Sequence, residues 1–381
     1  MAGGGFGVLH SLRACVEREN ACTLPGVPII YENFIPVMWK AVAKGFVKHE
    51  HAVFVQDGLR NGFKAGVDIE KLKGHRWFRN YPTAMDAVAP VSRAIMKRVQ
   101  AGKSLCLGPW SEAMGRALRA TYPNTFIFPM SAAAKPLEPD EKRPTDDHTR
   151  TGLNAATDLS FLRHSLNTYA EISWFLKQDY FLRVSDVEGA FTILPLHPEL
   201  WPYFMFRFFT DTDAQAMSLF VHLCGDFGAA GMPGTFKVFF VDVVVNMARA
   251  VGTLTIPLAV YVDDTGGIGP DADLVNADIE RFQDWCTTVC GVAFKSLKDR
   301  MASKVQLMLG FWWDSRTLTR TLEERKLLAY VEMLAVAAGK EKLQLREMQV
   351  IAGRMQRAIL TLPVGAACLL VGLFTLMAGL K

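Results

Sequence analysis

The chain has 381 residues, of which 50% are hydrophobic and 21% are charged. This balance excludes wholesale disorder, and the length indicates two or three subdomains with a large apolar core. The formal net charge of +4 is a mild basic excess, which permits a polyanionic partner without requiring one.

The cysteines and the N-terminus bear on the compartment. The 7 cysteines are scattered, and only Cys286 and Cys290 form a close pair. We therefore expect neither a disulfide framework nor a structural zinc site, and reduced thiols indicate an intracellular protein. Residues 1–20 contain no long apolar stretch, so we expect no secretory signal. No feature of the sequence favours the nucleus over the cytoplasm.

The N-terminal part is predicted to be mainly helical. Residues 1–60 mix short helical patterns with loops. Residues 66–103 predict a loop followed by a helix, because apolar residues recur at spacings of three and four: Val88, Val91, Ile95 and Val99. Residues 133–157 are polar, charged and rich in proline, which predicts a loop or a flexible hairpin.

The middle of the chain predicts strands. Short runs of apolar, aromatic and β-branched residues occupy 180–186, 203–209, 219–224 and 256–264. A helix is predicted at about 233–250, between the third and fourth runs. This order favours an α+β fold over a doubly wound parallel sheet.

The C-terminal third carries the basic excess. Residues 295–357 hold 13 Lys/Arg against 7 Asp/Glu. A predicted helix at 345–359 is apolar on one face and carries Arg346, Arg354 and Arg357 on the other. Such a face is either simply solvated or follows a phosphate backbone.

Residues 358–380 form an uncharged stretch of 23 residues, which is long enough to span a bilayer. Pro363, Gly365 and Gly372 interrupt it, so we favour buried helices of the C-terminal subdomain. A membrane anchor is the alternative, and a membrane partner is not expected.

Three aspartates follow predicted strands. Asp263 and Asp264 stand in tandem after the run 257–262, and Asp186 ends the run 180–185. If the two strands are neighbours, their carboxylates converge, and oxygen ligands of this kind suit Mg²⁺ ions that promote phosphoryl transfer. Taken alone, an Asp-Asp pair is also ordinary turn chemistry.

Several segments around these aspartates have the order and spacing of one family. Tyr261-Val262-Asp263-Asp264 matches a Tyr-x-Asp-Asp box, and Leu309-Gly310-Phe311 matches a Leu-Gly-Phe segment. Further matches are 184–198, which carries Asp186, 227–236, Lys298, and 135–154 with its basic residues. Over about 130–315 the chain resembles reverse transcriptases, and its flanks at 104–110 and 345–353 look like the DIRS-type retrotransposon branch.

The resemblance implies an α+β right-hand polymerase fold with fingers, a palm with an antiparallel sheet, and a short helical thumb. The predicted divisions are a helical N-terminal extension at 1–110, fingers at 111–180, a palm at 181–315 with fingers elements interleaved, and a thumb-like region at 316–381 that is either short or truncated. We recognise no RNase H, integrase or recombinase motif, which suggests a piece of a longer element.

The resemblance also implies roles in the reaction. Asp186 and Asp263 would hold two Mg²⁺ ions, for which Mn²⁺ is a possible substitute, with Asp264 beside them and the Val187 carbonyl as a further ligand. The groups that would contact the incoming nucleotide are Lys135, Arg143, Phe191, Gly228 and Lys298. The ring of Phe191 would exclude a 2′-hydroxyl group and so favour deoxynucleotides.

The implied partners are dNTPs and an RNA or DNA template with its primer; the oligomeric state is left open. The predicted contacts to nucleic acid are Tyr261, Gly310, Phe311, Arg346, Arg354 and Arg357. Two departures from the family, Asp226 and Glu188, place acids near the expected nucleotide pocket and metals, where they would repel phosphate. The alternative function is therefore a non-catalytic, nucleic-acid-binding remnant of a retroelement reverse transcriptase.

Overall fold

The computed structural model describes residues 4–135, 138–163, 168–210, 216–296, 299–361 and 368–379. Within these ranges the helices are α1 Gly4–Arg18, α2 Tyr31–Ala43, α3 His49–Asn61, α4 Pro82–Met85, α5 Val88–Gln100, α6 Glu112–Thr121, α7 His148–Thr151, α8 Thr168–Phe175, α9 Met232–Phe236, α10 Asn246–Val251, α11 Ala272–Trp285, α12 Glu324–Ala338, α13 Leu345–Ala358 and α14 Cys368–Gly379. A π-helix at Lys237–Val245 joins α9 to α10, and a second, Cys286–Cys290, extends α11.

The strands in the same ranges form four sheets. They are β1 His75–Trp77, β2 Ser104–Pro109, β3 Thr125–Ile127, β4 Met130–Lys135, β5 Glu138–Asp146, β6 Phe181–Asp186, β7 Met205–Phe208, β8 Ser218–His222, β9 Leu258–Tyr261, β10 Asp264–Gly269, β11 Arg300–Ser303, β12 Val305–Met308, β13 Phe311–Asp314 and β14 Thr319–Leu322. The α+β class is confirmed. Each of the four predicted runs overlaps a strand, and the polar stretch 133–157 begins within β4 and includes β5.

A five-stranded sheet gathers distant parts of the chain in the order β1-β3-β7-β8-β2. The pairs β1–β3 and β3–β7 are parallel, and β7–β8 and β8–β2 are antiparallel. The region 1–110, predicted as a helical extension, also contributes β1 and β2 to this sheet. Its helices α1 to α3 are also longer than the short patterns expected over 1–60.

The sheet predicted as the palm is antiparallel, with strand order β11-β6-β10-β9. One face packs against β12–β14 and α8 through an apolar cluster that includes Val184, Ile268 and Met308. On the other face, the buried guanidinium of Arg183 donates to Asp299 at 2.7 Å and to Glu280 of α11 at 2.9 Å. This packing holds β6, with Asp186 at its end, between two layers.

The C-terminal region is built from the β12–β14 sheet followed by helices. Helix α13 buries its predicted apolar face through Met348, Ile351 and Ala352, whereas α12 has no buried residue. Part of the uncharged stretch 358–380 forms α14, and residues 362–367 and 380 fall outside the described ranges. Across the described residues, no helix combines the length and apolar character needed to cross a membrane.

Candidate functional site

The three aspartates meet at one end of the antiparallel palm sheet. Asp264 is the first residue of β10 and stands opposite Asp186, the last residue of β6. It also stands opposite Tyr261, the last residue of β9. Residues directly opposite each other on antiparallel strands project to the same face. The predicted convergence of Asp186 and Asp264 is therefore present, with Asp263 in the turn between β9 and β10.

The turn that carries Asp263 has an unusual backbone. Val262, the first of its two central residues, has a φ of +55°, a region that β-branched residues rarely occupy. Glycine is usual there in a type II′ hairpin turn. The N–H of Val187 donates to the carbonyl of Asp263 at 2.8 Å, which holds the turn against the continuation of β6. Such conformations persist where the surroundings over-determine them, and they are frequent at functional sites.

Lys295 lies at the carboxylates. Its ammonium group contacts Asp186 Oδ1 and is 4.0 Å from Asp263 Oδ2. The backbone explains the placement, because the N–H of Lys295 donates to the carbonyl of Asp186 at 2.9 Å and the preceding Phe294 pairs with Val187. A positive charge is thus accommodated between two carboxylates, one of them almost fully buried. Oxygen ligands around such a point fit Mg²⁺ or Mn²⁺.

Sequence reasoning missed Lys295 and selected Lys298 by its distance from Gly291. Lys298 lies outside the described residues, as does the side chain of Lys135. The signal for Lys295 was its place directly after the apolar run Val292–Phe294, which extends alongside the residues that follow Asp186. A pairing of this kind between distant segments is not visible in a single sequence.

A cavity of about 400 Å³ joins the aspartates to the region predicted to bind nucleic acid. Its lining includes Asp186, Asp264, Tyr261, Gly310 and Arg357. Two of the three aspartates predicted to be catalytic and three of the six predicted nucleic-acid contacts therefore border one space. The cavity contains both acidic and basic groups, as expected where a metal site adjoins a phosphate backbone.

Gly310 lies at the tip of the β12–β13 hairpin. Leu309 and Gly310 both have positive φ angles, +55° and +77°, which define a two-residue type I′ turn. The guanidinium of Arg357 donates to the carbonyl of Leu309 and also stacks over Phe311, 5.4 Å from its ring centre. Arg357 therefore ties α13 to this turn.

The other predicted nucleic-acid contacts lie elsewhere. The ring of Phe311 is fully buried and packs edge-on against Tyr169, so it supports the turn from below. Arg346 and Arg354 are exposed and border a separate cavity of about 480 Å³ between α12 and α13. Arg354 lies over the ring of Tyr330. The basic face of α13 is thus divided between two surfaces.

Gly228, one of the residues predicted to contact the nucleotide, lies in the turn after β8. A Cβ on Gly228 would collide with the carbonyl oxygen of Asp146, so glycine permits the close approach of this turn to β5. Asn154 clamps the turn, donating to the Gly228 carbonyl at 3.0 Å and accepting from the Ala230 N–H at 2.9 Å. Arg143 is exposed on β5, opposite Ala133 of β4.

Phe191 is 4% exposed, and its ring packs against Phe227 at 4.8 Å and Phe236 at 5.9 Å. Phe227 itself is about half exposed, so the two rings form an apolar contact that extends from the core to the surface. This arrangement is compatible with a ring beneath a sugar, and it places most of Phe191 in the core.

Of the two acidic departures from the family, Asp226 presents no free charge to the nucleotide region, whereas Glu188 is exposed. Asp226 is fully buried and pairs with His148 at 2.7 Å. The expectation that Asp226 repels phosphate is therefore wrong, because its charge is neutralised inside the protein. Glu188 is exposed, and its charge acts on Lys103, whose pKa is lowered by burial and partly restored by neighbouring charges that include Glu188. The Lys103 ammonium donates to Thr192 at 2.8 Å, close to the chain that follows Asp186.

Comparison with known proteins gives matches in structure only. No protein-family model matches the chain, and no curated protein does. The foamy viral protease-reverse transcriptase dRH in complex with double-stranded DNA aligns with a TM-score of 0.54 and 14% identity, over 83% of this chain and 47% of that one. The foamy viral protease-reverse transcriptase in complex with double-stranded DNA aligns with a TM-score of 0.53 and 15% identity, over 81% and 54%.

The chain thus has a fold like that of these reverse transcriptases and spans about half of their length. The structural similarity shows the fold alone, because the sequence identity is only 14–15%, and function must be argued from the site.

Proposed function

We propose that the chain is an RNA-directed DNA polymerase that adds dNTPs to a primer 3′-hydroxyl by two-metal-ion phosphoryl transfer. The observation that carries the proposal is the register of the palm sheet, with Asp264 opposite Asp186 and Asp263 in the adjoining turn. A structural role does not require three carboxylates at one strand edge, since their mutual repulsion opposes folding unless cations neutralise them.

Asp186 and Asp263 supply the carboxylate oxygens that hold the metals, and the carbonyl of Val187 is a further ligand. Asp264, on the same face of the sheet, orients the site. Mg²⁺ or Mn²⁺, when bound, activates the primer hydroxyl and neutralises the triphosphate charge. Lys295 provides positive charge between Asp186 and Asp263 before metals arrive, and its half-exposed side chain can move aside.

The nucleotide is held from the fingers side. Arg143 on β5 and Lys135 on β4 contact the triphosphate, and Arg is suited to bidentate phosphate contacts. Gly228 allows the base to approach the turn, Phe191 lies beneath the sugar, and Lys298 assists the leaving pyrophosphate.

Template and primer occupy the cavity and the surface beyond it. Tyr261 and Gly310 contact the strand next to the aspartates, Phe311 supports the Gly310 turn, and Arg357 faces the phosphate backbone from the cavity wall. Arg346 and Arg354 extend the basic surface along α13. Both similar reverse transcriptase structures are complexes with double-stranded DNA, which supports a nucleic-acid duplex as the partner. The subdomains are fingers, palm and a short thumb at 111–180, 181–315 and 316–381, and the segments at 104–110 and 345–353 support descent from the DIRS-type branch.

A nucleic-acid-binding remnant without turnover is the second candidate. The contact between Lys295 and Asp186 favours it, because an ammonium group at the metal position competes with Mg²⁺. Such a protein would still bind nucleic acid through its basic surface but would not catalyse nucleotide addition.

Extension of a labelled DNA primer on an RNA template tests both candidates. The purified chain is supplied with dNTPs and either Mg²⁺ or Mn²⁺, alongside Asp186→Asn and Asp263→Asn. Incorporation that falls by at least about a hundredfold in both variants supports the polymerase. Unchanged incorporation in the variants refutes the catalytic assignment. Tight duplex binding at low salt without incorporation by the unaltered protein supports the remnant.

A further inference from the structure

We propose that Asp146, His222 and Asp226 form a second, buried site for a divalent transition metal, separate from the catalytic aspartates. Asp146 ends β5, His222 ends β8, and Asp226 begins the turn after β8. One potential ligand atom from each residue lies within 4.8 Å of the other two. No residue of this cluster borders the cavity at Asp186 and Asp264.

The cluster contains buried polar atoms that lack hydrogen-bond partners. Asp146 Oδ1 and His222 Nε2 are both completely shielded from solvent and accept or donate no hydrogen bond. Both side chains are at most 3% exposed. Leaving such atoms unpaired costs about 1–3 kcal/mol each. Two unpaired buried atoms in one cluster of potential ligands therefore support a cation site here.

His222 has two tautomers: one directs an Nε2 lone pair towards the cluster, and in the other Nε2 carries the proton and faces Asp146 as a donor. Its Nδ1 lies 2.8 Å from the hydroxyl oxygen of Ser104. When Nδ1 carries the proton and donates to Ser104, Nε2 is left as an acceptor, 3.5 Å from Asp146 Oδ2. An acceptor facing a carboxylate is unfavourable unless a cation lies between them. A histidine whose second nitrogen is fixed by a hydrogen bond is the usual arrangement at metal sites.

Asp226 is also held in a fixed orientation. Its Oδ1 accepts from the N–H groups of Gly228 at 2.7 Å and Ala229 at 3.0 Å, and its Oδ2 contacts His148 Nε2 at 2.7 Å. A carboxylate oxygen has two lone pairs, so these contacts leave capacity for a metal. Arg98, 3.4 Å from Asp146 Oδ2, and His148, 2.7 Å from Asp226 Oδ2, are the basic side chains that face the two carboxylates.

The ligand chemistry selects the class of metal. One imidazole nitrogen with two carboxylates favours Zn²⁺, Co²⁺ or Mn²⁺ over Mg²⁺ and Ca²⁺, which prefer oxygen alone. Ligand atoms of a tetrahedral zinc ion are roughly 3.4 Å apart, so the three side chains need to approach one another by about 1 Å. The rings of Phe128 and Phe206 stack around His222 at 5.7 and 4.7 Å, which keeps the site dry and strengthens its electrostatics.

A metal here would connect the strand that carries Arg143 with β8 and with the turn at Gly228. It would stabilise the fingers side of the protein without entering the polymerase reaction. The inference is therefore independent of the proposed function.

The test is metal binding by the full chain after removal of metals with EDTA and dialysis against Zn²⁺ or Co²⁺. We expect one tightly bound equivalent by elemental analysis. His222→Gln and Asp146→Asn should weaken it by at least about tenfold. The control variant Asp263→Asn/Asp264→Asn should keep it. Absence of a tight equivalent, or its loss in the control and not in the cluster variants, overturns the proposal.

X-ray absorption of the zinc-loaded, unaltered protein covers the case in which the variants fail to fold. The expected spectrum has nitrogen and oxygen neighbours at roughly 2.0–2.2 Å with imidazole scattering. Sulfur neighbours at about 2.3 Å would assign the metal to cysteines and overturn the proposal.

Discussion

The buried pair of His148 and Asp226 makes a strong prediction about stability. Both side chains are at most 1% exposed and are joined at 2.7 Å. His148→Leu removes the imidazole and leaves the Asp226 charge inside the protein. Loss of one partner of a buried ion pair costs about 3–5 kcal/mol. Two backbone N–H groups still donate to Asp226, so we expect the lower end, about 3 kcal/mol.

The pH dependence of this cost follows from the two pKa values. Burial would lower the pKa of His148, but the charge of Asp226 and their hydrogen bond outweigh burial and raise it. Burial would raise the pKa of Asp226, but the charge and hydrogen bond of His148 lower it. The histidine contribution is full below its unfolded pKa of about 6.5, and the aspartate contribution is full above about 3.9. The stability difference between the two proteins should be largest between these pH values. It should shrink as the pH rises through the folded pKa of His148, or falls through that of Asp226.

Urea denaturation in EDTA, followed by circular dichroism, measures the effect from pH 4 to 9. The matched variants are Asp226→Asn, which keeps a side-chain acceptor for the turn, and the double variant His148→Leu/Asp226→Asn. If the pair is as described, the double variant loses less stability than the sum of the single variants. A cost below about 1 kcal/mol for His148→Leu, or strictly additive costs, would refute the reasoning.

Three further predictions concern the candidate active site. Lys295→Met should lower the Mg²⁺ concentration that gives half-maximal thermal stabilisation, because no ammonium group then competes at Asp186. Lys304→Met is the control. An unchanged Mg²⁺ midpoint in Lys295→Met would contradict the competition between Lys295 and the metal. Gly310→Ala should weaken duplex binding and reduce stability by about 1–2 kcal/mol because φ is positive there, whereas Gly353→Ala, in open space on a helix, should not. Arg357→Met should weaken duplex binding and reduce the slope of log K against log salt by about 1, as titration by fluorescence anisotropy would measure; an unchanged slope would place Arg357 away from phosphate.

Much of the fold could be predicted because local patterns and tertiary packing agree. The runs containing β6 and β9 are apolar and β-branched, and the stretch 133–157, predicted as a loop or flexible hairpin, includes residues of the paired strands β4 and β5. The five-stranded sheet was not predicted, since strands such as β1 and β3 have three residues each and no measurable alternation. Parallel pairing between them depends on contacts across 50 residues of sequence.

In the candidate site, too, local sequence patterns predicted some features, whereas others depend on contacts between distant residues. The aspartates were identified because three acids follow predicted strands. The register that places Asp264 opposite Asp186 is set by tertiary pairing of β6 with β10. Asp226 was misjudged because its partner, His148, lies 78 residues earlier. Phe311 was assigned to nucleic acid from its place beside Gly310, whereas strand alternation turns its ring into the core. Lys295 was missed because its carboxylate partner is 109 residues away.

The five-stranded sheet also constrains how the chain is made. Its strands come from residues 75–77, 104–109, 125–127, 205–208 and 218–222, and the two late strands lie in the middle and next to one edge. During vectorial synthesis, β1 and β3 can pair early, but β2 has no neighbour until β8 leaves the ribosome. Sheets with such high contact order form slowly and expose apolar surface in the meantime. The nascent protein therefore depends on protection from aggregation until about residue 222 has emerged, well before the C-terminal helices are complete.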